Sequence, residues 1–536
     1  GGSSTVLTTG AGSSGLTYQT IGGGGGYTGS TTANAQLGGT YRASSTGADL
    51  TITSQIDSST NGTDSSALLI QSIGGGGGRA GDVGGNAALG GTSGILDTPA
   101  GQGGELSITL NSDLTSAGER GAGALIQTIG GGGGIAGAIG GNATLGGVGL
   151  GDRSAGAISL TIDNKVGTSG TNAVGVLAQT IGGGGGSVDN VGGNLILGRT
   201  TPLGTPNTGN TSAGELNLRI TPNAQLFSTG DKSPALIAQT VGGGGGFAAS
   251  TTGTVQLGAG GNGTTGSNAS ASAITWSNAS GGTTEKVTEL GVVPVTTSGI
   301  ATKGNLSPAV VLQSIGGGGG YTTGGTSVSF SAAGHAGAST SSGDITATNT
   351  GVITTSGSDS FGLLLQSIGG GGGVGGSSTG DVSLNNTNEA SNSGNISLTN
   401  SGTISTSGRG SHAVVAQTIG GSGGFVFGGA RKENSVSQLG NPTGRAGNIT
   451  VNNSGTISAS GENATALLFQ NAAGGAYLYQ NTDGSVSNIT QGATDGLAPA
   501  GEVVVINTGT IVASGRGGVG ITKSTSDLSG NLRVEN

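Results

Sequence analysis

The chain contains no cysteine and no methionine among its 536 residues, so it has no disulfide, thiolate nucleophile or zinc knuckle. Aromatic residues are 3% of the sequence and charged residues 8%. Hydrophobic residues, at 32%, are low for a layered globule but sufficient for a thin solenoid core, and the charged fraction is too low for charge-driven disorder. Only 9 prolines are present and no Gly-X-Y period occurs, which excludes collagen. The 17 Lys and Arg residues form no stripe and the formal charge is −9, so nucleic acid is not an expected partner. No apolar run of about 18 residues occurs, and so no transmembrane helix is expected. The chain starts in mid-repeat at Gly1 without an initiator Met, as expected of a fragment of a longer chain.

Glycine is what the chain has in excess, 124 residues of it. Runs of five occupy 22–26, 74–78, 130–134, 182–186, 242–246, 316–320 and 369–373. An eighth run is interrupted by Ser422, and a ninth decays to Asn471-Ala472-Ala473-Gly474-Gly475. Each run follows a short apolar segment with one glutamine: Gln19, Gln71, Gln127, Gln179, Gln239, Gln313, Gln366, Gln417 and Gln470. Successive glutamines are 52, 56, 52, 60, 74, 53, 51 and 53 residues apart. A flexible linker drifts in length without penalty; constant length marks a repeated structural element of about 52 residues. The long intervals carry insertions, with one inserted loop region expected at 258–300 and a degenerate tail at 521–536.

The segments between the runs read as strands. Ile396-Ser397-Leu398-Thr399 and Leu106-Ser107-Ile108-Thr109-Leu110 alternate apolar and polar, giving one buried and one solvated face. No 3.6-residue stripe is present, so the class is all-β. The glutamine segment differs, since Leu68-Leu69-Ile70-Gln71-Ser72-Ile73 is apolar at both parities. Such a strand is covered on both faces. The nearest available cover is the glycine run, folded back as an ordered polyproline-II-like segment packed on one side of the solenoid. Middle glycines Gly24, Gly76, Gly132, Gly184, Gly244, Gly318 and Gly371 then belong to a second layer, with the glutamine amides satisfying its backbone. The opposing expectation is a mobile loop capped by Gln. Strand spacing of 8 to 10 residues leaves one or two coils per repeat open.

The units Ser401-Gly402-Thr403-Ile404-Ser405-Thr406 and Ala67-Leu68-Leu69-Ile70-Gln71 with its glycine run resemble the passenger domains of large Gram-negative autotransporter adhesins. The resemblance covers essentially the whole chain. It implies one continuous right-handed parallel β-helix over 1–536, exported to the cell surface, with an outer-membrane β-barrel on a missing C-terminal part. The function it implies is non-catalytic: adhesion, self-association, biofilm support or a structural fibre. Partners would be a host or abiotic surface, a glycan, or neighbouring copies of the same chain; no cofactor is implied.

Two alternatives remain. Parallel β-helices also cleave acidic polysaccharides, and three carboxylates converging in one groove would favour that enzyme over a scaffold. Asp49, Asp57, Asp64, Asp82 and Asp113 fall in different parts of the repeat and show no cluster. A phage or fibre-tip receptor-binding domain would instead expose the glycine runs at one tip. Gly24-Gly25-Gly26-Tyr27-Thr28-Gly29 fits a dinucleotide fingerprint only because poly-Gly fits it trivially, with no βαβ unit nearby. Gly376-Ser377-Ser378-Thr379-Gly380 matches a nucleophile elbow on letters alone, and only His335 and His412 exist to serve it. His412 opens an apolar strand and reads as structural or exposed. The residue after each glycine run is often large. It reads as a plug, or, through Tyr27, Phe247, Tyr321 and Phe425, as an aromatic surface contact row. The Thr51-Ile52-Thr53 pattern shows no recurrence in register, so a threonine-ladder face is not expected.

Overall fold

The computed structural model describes residues 4–41, 45–93, 101–147, 152–198, 209–258, 268–288, 291–297, 299–325, 327–331, 339–378, 382–385, 390–428, 444–491, 500–524 and 530–536. All its elements are strands, and nearly all pair in parallel with the equivalent strand of the next repeat. The fold is a parallel β-helix. Gln19 pairs with Gln71, Gln71 with Gln127, and Gln127 with Gln179. One repeat is therefore one wide coil, and consecutive glycine runs lie a single strand spacing of about 4.8 Å apart.

The third coil shows the path. It runs through Leu106–Leu110, Leu114–Ser116, Ala124–Ile129, Gly133–Ala136 and Ala143–Leu145. Stacked over the repeats, these become two core sheets, a glutamine sheet and a glycine sheet of ten strands each, and a closing sheet of seven. Leu106, Ile108, Leu114, Ala124 and Ile126 fill the main core between the first three sheets. The alternation read in the sequence builds it, since Ser107 points outward while its neighbours are buried.

The glutamine strand is buried along its whole length, as its two apolar parities required. Leu125 faces away from the main core and packs in a separate cluster with Ile135, the residue after the glycine run. The glycine sheet is thus the cover of the glutamine sheet. Burying one such leucine is worth about 1.5–3 kcal/mol.

In the first three coils the run is ordered and is not polyproline II. Gly131, Gly132, Gly133 and Gly134 have φ of 76°, 88°, 133° and 139°, where polyproline II needs about −75°. The chain must reverse immediately after Ile129, and a left-handed backbone makes that turn. Only the last two glycines join the ladder, Gly133 with Gly185 and Gly134 with Gly186. A Cβ on Gly133 would lie 1.9 Å from the Gly185 carbonyl oxygen, so neighbour spacing independently forbids a side chain.

Two other expectations are narrowed. Trp276 does not belong to an insertion: it lies on Ile274–Asn278, in register with Leu216–Ile220, and fills the main core. The added element within 258–300 is the antiparallel hairpin of Gly282–Thr288 and Gly291–Thr297, and 259–267 lies outside the described residues. The tail is not degenerate throughout: Val519–Ser524 and Leu532–Glu535 still pair in parallel with the preceding coil.

Candidate functional site

The seam between the glutamine and glycine sheets carries a ladder of buried amides. Each glutamine donates from Nε2 to Oε1 of the next, from Gln19 through Gln470, at 2.5–2.9 Å. Gln71 through Gln470 are fully buried. Gln313, Gln366 and Gln417 also donate to the carbonyls of Gly320, Gly373 and Gly424, at 3.3, 3.3 and 2.8 Å. The anticipated bond to glycine backbone exists in those coils, but the stacked amides satisfy mainly one another. The ladder ends where Gln470 donates to Asn488 Oδ1 on the antiparallel strand Val486–Gln491.

The middle glycines Gly76, Gly132, Gly184, Gly244, Gly318 and Gly371 are all buried in this seam, whereas Gly24, in the first coil, is exposed. The aromatic contact row does not form. Phe247, Tyr321 and Phe425 are 3%, 2% and 0% exposed, because they point inward to fill the space above the glutamine strands. Phe247 and Tyr321 stack with centroids 5.9 Å apart. Tyr27, in the first coil, is 60% exposed and carries Arg79 over its ring at 5.7 Å.

Charged side chains meet where the glycine strands reach the turn before the glutamine sheet. That turn holds a non-glycine residue at positive φ in seven coils: Asp64, Arg120, Asn172, Lys232, Leu306, Asp359 and Asn463. Asp64 and Arg120 stand one coil apart, with Nε and Nη2 of the arginine donating to Oδ1 and Oδ2 at 2.7 and 3.1 Å. The Asp64 side chain is only 3% exposed. Arg79 donates to the carbonyls of Gly12 and Asp64 at 2.8 and 3.2 Å and to Ser14 Oγ. Asp82 and Asp189 approach the same place from the glycine strands, so Asp64, Asp82 and Asp189 converge.

Burial, followed by the Asp64 carboxylate, holds Asp189 well above the usual carboxylate range. Burial raises Asp82 too, against the Ala138 amide that donates to its Oδ1 at 3.0 Å. Burial lowers Arg79 against the surrounding carboxylates. For Arg120 burial opposes the charge, but the hydrogen bonds and charge of Asp64 hold it above its ordinary value. Asp82 alone of the three carboxylates also lines the neighbouring cleft of about 440 Å³, with Ala138, Asn190 and Ser250. The sequence concealed this cluster because Asp64 and Asp189 are two coils apart and share no repeat position.

Two histidines were candidates. His335 lies outside the described residues. His412 is 1% exposed, structural in position and neutral, with burial lowering its pKa to about 3. The glycines of the supposed fingerprint, Gly24 to Gly26, belong to the glycine turn and ladder, with no helix after them.

The outer face of the first core sheet narrows another expectation. Thr-x-Thr itself recurs in register only at Thr346 and Thr348 among the described strands, but hydroxyl residues recur more widely, as Ser107 and Thr109, Ser159 and Thr161, Thr275 and Ser277, and Ser397 and Thr399. Asn217 and Arg219 interrupt the columns, and beyond Thr450 and Asn452 they give way to Val504 and Ile506 and then to Arg533 and Glu535. Insertions of different length between coils hid this register in the sequence. No protein-family model matches the chain, and no curated protein matches it.

Proposed function

We propose that the protein is a non-catalytic attachment and scaffolding element of a bacterial cell surface, mediating adhesion, self-association or biofilm support. The supporting observation is the hydroxyl-rich outer face of the first core sheet, in register from Thr51 to Thr399 with Arg219 its one charged residue over that span. A chain with net charge −9 repels its own copies through most surfaces, so a neutral face is where copies or a neutral glycan can approach. The cell-surface location, and an outer-membrane barrel beyond this segment, rest on the resemblance to autotransporter passengers. The glycine runs lie inside a seam along the flank, which removes the support a tip-binding reading would need.

The test is aggregation of beads coated with the chain, together with binding to neutral polysaccharide films. Thr275→Lys, Thr346→Lys and Thr399→Lys combined should abolish both while leaving the strand circular dichroism unchanged. Unaltered aggregation and binding would defeat the reading. A second reading, cleavage of an acidic polysaccharide, is favoured by the convergence of Asp64, Asp82 and Asp189. Against it, Asp64 is sealed and paired. Release of reducing ends from polygalacturonate, lost in Asp82→Asn, would establish that reading instead.

A further inference from the structure

The two hydroxyl columns on the outer face of the first core sheet are bordered by a third outward column, one residue before each strand. Backbone amides fix its register. Leu50 donates to the Glu105 carbonyl, Leu106 to Ala157, Ile158 to Glu215, Leu216 to Ala273 and Ile274 to Asp344. Glu105, Ala157, Glu215, Ala273 and Asp344 therefore stand one above another in consecutive coils. Glu105 precedes Ser107 by two residues and Asp344 precedes Thr346 by two, so the column shares the face of the hydroxyls.

Glu105, Glu215 and Asp344 are all exposed. Carboxylates thus occupy every second coil with alanine between them, and they recur at two strand spacings, about 9.6 Å. Asp49 adds a fourth carboxylate one coil before Glu105, and its Oδ1 accepts the Glu105 amide at 2.7 Å. Asp344 Oδ1 likewise accepts the Asn395 amide at 2.7 Å, which holds one oxygen and leaves Oδ2 for a ligand. Arg219 is the one basic residue in the three columns from Asp49 to Thr399. It stands at the opposite border, four residues along the strand from Glu215, or about 13 Å.

Charge and period together select the occupant. A row of carboxylates beside hydroxyls, on a chain of net charge −9, is complementary to a polymer with cations along one edge. An extended peptide repeats its side chains on one face at about 6.7 Å, out of step with this row. A ribbon of equatorially linked sugars turns over at each unit and presents the same edge at every second sugar. That length is close to two strand spacings. We infer that this face binds a linear polymer of amino sugars lying along the helix axis, with the ammonium of every second sugar meeting Glu105, Glu215 and Asp344 in turn. The inference rests on the reading of this face as glycan-binding and extends it from neutral glycans to one that carries amines.

Hexamers of glucosamine, N-acetylglucosamine and lysine separate charge from period, with binding to the whole chain read by calorimetry at pH 6. The glucosamine hexamer should bind about tenfold tighter than the N-acetylated one, as three exposed ion pairs together give. The advantage should shrink in high salt. The lysine hexamer, equal in side-chain charge but wrong in spacing, should bind more weakly than the glucosamine hexamer. Glu105→Gln, Glu215→Gln and Asp344→Asn combined should erase the preference for glucosamine. Glu215→Ala with Ala273→Glu keeps the net charge and breaks the period, and should weaken the glucosamine hexamer roughly threefold. If that pair disturbs the melting curve, Glu215→Gln alone takes its place and should cost roughly as much. Equal binding of the two sugars, equal binding of the lysine hexamer, or full preference in the triple variant overturns the proposal. Calcium bound by the row with no selectivity between the sugars overturns it too, in favour of a divalent-cation site. Aggregation that the threonine-to-lysine variant abolishes, with no preference for glucosamine, defeats this inference alone. Aggregation and sugar binding both untouched by that variant defeat the underlying reading.

Discussion

The first three coils and the sixth to eighth carry the same glycine run and fold it differently. In the first three, the second to fifth glycines all have positive φ, as at Gly75 to Gly78, where it runs from 81° to 131°. In the sixth to eighth the fifth glycine does, with Gly320, Gly373 and Gly424 between 133° and 148°, while Gly319, Gly372 and Gly423 lie outside that range. A neighbour accounts for the difference. In the early coils the closing strand ends in a glycine pair whose second amide donates to the run: Gly91 to the Gly75 carbonyl and Gly147 to the Gly131 carbonyl, both at 2.7 Å. In the sixth coil Phe330 is in register with Leu257, and the two residues that follow it in the sequence, Ser331 and Ala332, are no such pair. There the glycine amides bond from coil to coil, Gly317 to Gly370 and Gly370 to Gly421, each at 2.9 Å. Composition alone does not set a glycine run's shape; the amide that reaches its second carbonyl does.

Sequence variation follows the backbone. Ser422 replaces the third glycine in the eighth coil, where φ is not positive, and its Oγ accepts the Gly371 amide at 3.1 Å. Ala476 and Tyr477 stand at the fourth and fifth positions of the ninth coil, whose outer neighbour is an antiparallel strand.

Three measurements would break or sharpen this contrast. The largest effect is expected from Gly133→Ala, which combines φ of 133° with a 1.9 Å clash. It should cost about 3 kcal/mol or more in denaturant unfolding, and a near-neutral result would mean the ladder is not this close. Next, Gly132→Ser should cost about 2 kcal/mol, because φ there is 88° and a Cβ would lie 2.9 Å from the Gly75 carbonyl oxygen. The reverse change in the later region, Ser422→Gly, should cost about 1 kcal/mol, for one hydrogen bond and added chain entropy. Equal costs in the two coils would dissolve the distinction between them.

The smallest effect concerns pH. Burial raises Asp359 to about 6, while Gln480 donates to its Oδ1 at 2.8 Å. Its folded pKa lies above the unfolded value of about 4, so its contribution is full below that pH and fades as pH rises through about 6. Asp359→Asn should remove this fall in melting temperature between pH 4 and 7. A fall that persists would assign it to Asp189 and its neighbours.

Much of the fold was legible in the residues themselves. The glutamine at a fixed offset set the true register, and Leu68 to Ile73, apolar at both parities, required an outer cover. The plugs were legible too, since a large residue after a glycine run has only the covered space to enter. The coil count was not, because counting strands assumes three per coil and this coil closes through a further sheet. The glycine conformation was missed since polyproline II and left-handed extended backbone are equally open to a residue without Cβ. The carboxylate cluster needed the Asp64 turn and the Asp189 strand brought together across two coils, a distance that no periodicity encodes.

One wide coil per repeat has a mechanical consequence. Ten stacked strands add up to only about 43 Å of height, at about 4.8 Å for each step. Pulled from its ends, the structure would shed whole coils. Each coil of about 52 residues would pay out roughly 170–190 Å of extended chain for less than 5 Å of lost height. Such a body is a spool: compact at rest, and able to lengthen many-fold under load while the remaining coils stay wound.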